Sequence, residues 1–65
     1  MIRINGNDRP LERATSVADL VRELALEGKR IAVELNGEIV PRSRYAETRL
    51  ADGDRLEIVG AVGGG

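Results

Sequence analysis

Apolar residues recur along this chain with two different periods, and the changes of period mark its elements. Met1-Ile2-Arg3-Ile4-Asn5 alternates apolar and polar, with Ile2 and Ile4 on one side, which predicts a half-buried strand. Asn5-Gly6-Asn7-Asp8 is dense in turn formers and predicts a hairpin connection. The returning strand is expected from Arg9 to Arg13. It should lie at a sheet edge, because Pro10 has no amide hydrogen to give to a ladder. At Val17 the period lengthens. Val17, Leu20, Val21 and Leu24 follow the i, i+3, i+4, i+7 spacing of one helical stripe, with Arg22, Glu23 and Glu27 mainly off it. Ser16, followed three residues later by Asp19, has the pattern of an N-cap and capping box. Gly28 is placed to end the helix as a left-handed C′ residue, so the helix is predicted from about Val17 to Glu27.

Alternation returns in Ile31-Ala32-Val33-Glu34-Leu35, with Ile31, Val33 and Leu35 facing the core. Asn36-Gly37 is a strong hairpin signal, and Glu38-Ile39-Val40 is the short return strand that Pro41 stops. In the polar stretch from Arg42 to Leu50, Ser43 is positioned to cap a single helical turn carrying Tyr45 and Ala46. Asp52-Gly53-Asp54 is a tight turn that launches Arg55-Leu56-Glu57-Ile58-Val59, where Leu56 and Ile58 point one way and Arg55, Glu57 and Val59 the other. If the first and last strands are both central they pair in parallel, and the helix covers their shared apolar face. The expected fold is α+β, a mixed sheet of four to five strands with one helix packed across it. Residues 1–59 form the expected domain, followed by a flexible glycine-rich tail at 60–65.

Sixty-five residues allow one domain, and a chain of that size buries only about 60% of its unfolded surface. The core must be aliphatic, since Tyr45 is the only aromatic residue. Charged residues make up 32% of the chain with a net charge of -1, interspersed in sign, which points away from a nucleic-acid partner. No apolar run approaches the ~20 residues of a membrane span and no signal-peptide pattern opens the chain, so no membrane partner and a cytoplasmic location are expected. The chain has no Cys and no His. Disulfides, a thiolate nucleophile and cysteine-held clusters are thereby excluded, as is the usual neutral-pH acid–base residue and metal ligand. The carboxylates form no metal-loop pattern, and Asp52 and Asp54 read as turn residues. No catalytic residue and no metal site are predicted, so the chain is expected not to be an enzyme.

One group remains. The chain ends Gly60-Ala61-Val62-Gly63-Gly64-Gly65. Glycine contributes no side chain to a core and loses the most conformational freedom on folding. Alone, such an end fits a frayed terminus. It also fits a terminal carboxylate presented on backbone slim enough for a narrow channel in another protein.

The order strand, hairpin, helix, Asn-Gly hairpin, Asp-Gly-Asp turn, strand and Gly-Gly end resembles a ubiquitin-like β-grasp protein. More narrowly it resembles the ThiS family, the sulfur carriers of thiazole biosynthesis. The matching stretches are Asn36-Gly37-Glu38-Ile39-Val40-Pro41-Arg42, Asp52-Gly53-Asp54, Leu56-Glu57-Ile58-Val59 and Gly64-Gly65, and the likeness covers essentially the whole chain. Each motif alone is weak; their order and spacing make the combination specific. The resemblance implies that an E1-like, ThiF-type activating enzyme adenylates the Gly65 carboxylate with ATP and Mg. A persulfide sulfur, from a cysteine desulfurase or other donor, then displaces AMP and leaves a thiocarboxylate for a ThiG-type thiazole synthase. On that reading Gly65 is the modified residue, Gly63 and Gly64 enter partner sites, and Val59 with Ala61 forms a small apolar docking patch. The carrier itself binds no cofactor.

The chemistry agrees with the composition. A free carboxylate is anionic at neutral pH and a poor electrophile, so a nucleotide must supply the leaving group. A chain without Cys also offers no internal thiol to compete for the sulfur. Three alternatives stand beside this reading. One is the small subunit of molybdopterin synthase, whose members are longer, with aromatic residues and prolines before the tail. Another is a ubiquitin-like modifier that forms an isopeptide bond through Gly65. The last is an interaction module with an idle tail, and for Val59 alone an ordinary exposed valine is the plain reading. Arg42, Arg44 and Arg55 are read as solvated charges, with steering of an acidic partner as the other possibility.

Overall fold

Strand β1, Ile2–Ile4, and strand β2, Asn7–Arg9, form the first hairpin of the computed structural model, which describes residues 1–11 and 16–60. The turn is confined to Asn5 and Gly6, with φ of 51° and 84°. Positive φ at both central residues is the geometry of the two-residue turn whose twist matches the flanking strands. The return strand therefore starts at Asn7, two residues before the expected Arg9, and pairs Ile2 with Arg9, Arg3 with Asp8 and Ile4 with Asn7. Of the expected strand from Arg9 to Arg13, only Arg9 is in the ladder, and Glu12 and Arg13 lie outside the described residues. Pro10 falls just past β2, and β2 is an edge strand, as its missing amide requires.

Helix α1, Val17–Glu23, is four residues shorter than the apolar stripe predicts. It starts where expected: the Ser16 Oγ accepts from the Asp19 backbone N–H at 3.2 Å. Ser16 is buried and pairs with Arg49, while the Val17 N–H donates to the Thr48 carbonyl at 2.9 Å. The difference is at the other end. Ala25, not Gly28, takes the left-handed C′ position, with φ of 60°. Its N–H donates to Arg22 O at 3.0 Å and the Leu26 N–H to Val21 O at 2.9 Å, the two bonds of a Schellman close. Gly28, with φ of 80°, serves the next turn, which the Lys29 N–H closes on Leu26 O at 3.0 Å.

Strand β3, Ile31–Leu35, and strand β4, Glu38–Val40, join through Asn36-Gly37, again with two positive φ values, 51° and 88°. A 3-10 turn follows at Arg42–Arg44. Ser43 sits inside this turn rather than capping it; Pro41 holds the N-cap position, with φ of -65° and no side-chain cap bond. Proline's fixed φ suits the entry to a helical turn, so no side-chain oxygen is needed to set it. Tyr45 is buried beyond the turn.

Strand β5, Arg55–Gly60, leaves the Asp52-Gly53 turn and runs through the middle of the sheet, whose order is β2-β1-β5-β3-β4. It pairs in parallel with β1, as expected for central first and last strands, and the structure adds its antiparallel pairing with β3. Ile2, Val17, Leu20, Val33 and Leu56 are the fully buried centre, so the helical stripe and the inner sheet face meet there. The opposite sheet face has no helix of the described residues against it. No helix among the described residues is long and apolar enough to cross a membrane.

The end of β5 and the open sheet face

β5 is the strand that leads to residues 61–65, and two asparagines hold it from either side. Each is the first residue of an Asn-Gly turn. Asn5, beyond the end of β1, places its side-chain amide against β5: its Nδ2 donates to Ile58 O at 2.9 Å and its Oδ1 accepts from the Ile58 N–H at 2.8 Å. Its own N–H donates to Leu56 O at 3.0 Å. The side chain thus adds one more rung to the parallel ladder after the backbone has turned away. Asn36 does the same from the β3 side, accepting from the Arg55 N–H at 3.0 Å and donating its backbone N–H to Arg55 O at 2.8 Å. Its Nδ2 donates to Asp54 Oδ1 at 3.0 Å. The turn signals were visible in the sequence; the reach of both amides to one strand needed the register.

The other turn carboxylates are also structural. Asp54 Oδ2 accepts from the Ala51 N–H at 2.8 Å, and Asp52 pairs with the amino terminus at Met1. The Gly53 N–H, in the same turn at φ of 91°, donates to Met1 O at 2.8 Å. Asp52 and Asp54 therefore secure the start of the chain and the launch of β5.

Antiparallel pairing carries β5 through Gly60, which lies opposite Ile31. Val59 is on the open sheet face, 57% exposed, opposite Ala32. Ala61, Gly63, Gly64 and Gly65, the other site residues expected from the sequence, lie outside the described residues. The structure adds Ile39 to the same face. It is 66% exposed on β4 and pairs with Glu34, which in turn lies opposite Glu57 of β5. Its signal was the alternation itself, since Val40 faces the core and its neighbour must face out. Arg55 is on this open face too, while Arg42 donates to Lys29 O at 2.9 Å and Arg44 pairs with Glu47 at 3.5 Å.

A mixed five-stranded sheet with parallel β1 and β5 at its centre and one helix across it defines the ubiquitin-like β-grasp class. The crystal structure of the thiamine biosynthesis protein ThiS from Geobacter metallireducens matches it with a TM-score of 0.81 and 33% identity, over 98% of this chain and 97% of that one. The family model described as "ThiS family" matches residues 2–65. The sulfur carrier protein ThiS of Bacillus subtilis is 42% identical over 66 residues, covering the whole of both chains. The chain belongs to the ThiS family, the sulfur carriers of thiamine biosynthesis. That match decides between the thiazole and molybdopterin carriers. A thiazole synthase of Paramagnetospirillum magneticum is 47% identical over 62 residues, which are 95% of this chain but 19% of that protein, so the chain spans about a fifth of its length.

Proposed function

We propose that Gly65 is the working residue: its carboxylate is adenylated and then converted to a thiocarboxylate whose sulfur enters the thiazole ring of thiamine. The observation that carries this reading is the end-to-end match with the B. subtilis sulfur carrier. The geometry explains how such a carrier works. β5 is held on the β3 flank through Gly60 and on the β1 flank as far as Ile58, and five further residues at full extension span at most about 18 Å. A rigid domain is thus docked by its face while a glycine end reaches into a partner's active site. Gly63 and Gly64 have no Cβ to obstruct a narrow entry.

The chain acts as carrier rather than catalyst. A ThiF-type activating enzyme supplies ATP and Mg, and adenylation turns a poor electrophile into an acyl phosphate that sulfur can attack. A cysteine desulfurase or another persulfide donor provides the sulfur. A ThiG-type thiazole synthase receives it; supporting this, relatives named thiazole synthase contain a segment like this chain. Val59 and Ala61 contribute to the surface these partners share, and the exchange takes place in the cytoplasm.

Removal of Gly65 tests the proposal. In a reconstituted system containing the activating enzyme, a sulfur donor and thiazole synthase, the shortened chain should give no thiazole while its thermal midpoint stays at the full-length value. Thiazole formation at the full-length rate would contradict the assignment.

A further inference from the structure

On the helix side of the sheet, a groove of about 260 Å³ opens between α1, residues 27–29, the start of β3 and the turn at Arg42–Arg44. It falls just under the ~300–1,000 Å³ of pockets that take small molecules and cofactors, so it suits a slimmer occupant. Val21, Leu26 and Ile31 give it an apolar floor, and Lys29 and Arg42, both exposed, supply its positive charge. The Arg42 guanidinium is held there by its bond to the Lys29 carbonyl at 2.9 Å. Neither cation forms an ion pair among the described residues. The one acidic side chain in the lining, Glu27, is engaged by Arg22 at 3.7 Å. The groove therefore joins an apolar floor to two positive charges that the described fold leaves uncompensated.

We propose that this groove binds the chain's own residues 61–65, with Val62 on the apolar floor and the Gly65 carboxylate at Lys29 and Arg42. Register brings the segment to the groove, since Gly60 lies opposite Ile31, which lines it. Alternation selects the side chain: Val62 is an even number of residues from the buried Leu56 and Ile58, so the strand period sets it on the helix side. Charge complementarity selects the end, because the segment carries no ionisable side chain and its carboxylate is its one charge. Five residues span at most about 18 Å, and the three glycines after Val62 tolerate the positive φ that a turn back towards Arg42 needs. A tethered end is present at an effective concentration of about millimolar, so weak contacts suffice to hold it. While docked, the tail is withheld, and a partner's apparent affinity falls with the fraction left free. The inference rests on the function proposed above only in taking the Gly65 carboxylate as free; it uses none of the sulfur chemistry.

The test is nuclear magnetic resonance on the full chain alone, at about 20 mM and about 300 mM salt, where screening differs strongly. At low salt the Val62 and Gly64 amides should relax like the folded domain, and they should move towards free-chain values at high salt. Lys29→Gln removes one cation and leaves the carbonyl that Arg42 uses. It should lower the ratio of docked to free tail about two- to fivefold, the worth of one exposed ion pair. Val62→Ser should free the tail at both salt concentrations and shift the Ile31 and Ala46 amides, while the β1 and β2 amides stay in place. Free-chain relaxation of residues 62–64 at low salt, unchanged by either variant, overturns the docking and leaves the carrier function standing. Docking that strengthens with protein concentration also overturns it, since the groove would then hold the tail of a second copy.

Discussion

Asn5 combines a backbone conformation and a pair of hydrogen bonds that few residues can supply together. Its φ of 51° is left-handed, where an ordinary L-residue loses about 1–2 kcal/mol, and its amide is both donor and acceptor to Ile58. Asn5→Ala should therefore cost about 3–4 kcal/mol, the sum of backbone strain and about 1 kcal/mol for each hydrogen bond. Asn5→Gly relieves the strain and loses only the two hydrogen bonds, so it should cost about 2 kcal/mol. Urea titration of the two variants separates the contributions, and equal losses would mean that the conformation adds nothing. At this scale the sequence was half legible. Asn-Gly announces a turn at both sites, but side-chain bonds to a strand some fifty residues away depend on which strands become neighbours.

The helix shows how an element can be recognised and still be misjudged at its end. Its stripe and its cap follow from local rules, and Val17, Leu20 and Val21 are all buried. Its end does not follow from local rules, because Gly28 is a far better left-handed residue than Ala25 and yet α1 closes on Ala25. Leu24 and Leu26 are both half-buried against the core, and breaking the helix between them lets each contribute. Packing thus outweighs the strain of one alanine. Ser43 differs in the same way, since a proline-set entry made its hydroxyl unnecessary as a cap. The unused strain at Ala25 gives a direct prediction. Ala25→Gly should stabilise the domain by about 0.5–1 kcal/mol, the relief of the left-handed alanine less the added freedom of the unfolded chain. In a domain this small that amounts to a rise in thermal midpoint of about 2–8 °C. A fall in the midpoint would show that Ala25 makes contacts worth more than its strain.

At the scale of the whole molecule, the proposed function sets a working end apart from the folded sheet. Among the described residues the central strand of the sheet is tied from both sides, and the sequence contains neither Cys nor His. The fold class and the parallel pairing of first and last strands were legible because alternation, two Asn-Gly turns and one helical stripe allow few arrangements. The open face was less so. Val59 could be placed on it from β5 alone, but Ile39 and the opposed Glu34 and Glu57 became one surface only through the register of three strands. The proposed function concentrates the chemistry in a single carboxylate, and that makes it directly measurable. After incubation with the activating enzyme, ATP, Mg and a persulfide donor, the chain is treated with a thiol-alkylating reagent and mapped by peptide mass spectrometry. With no Cys in the sequence, a thiol-type label is expected on Gly65 alone, only when ATP is present. An unlabelled chain under conditions that label a known carrier, or a label elsewhere, would contradict the account.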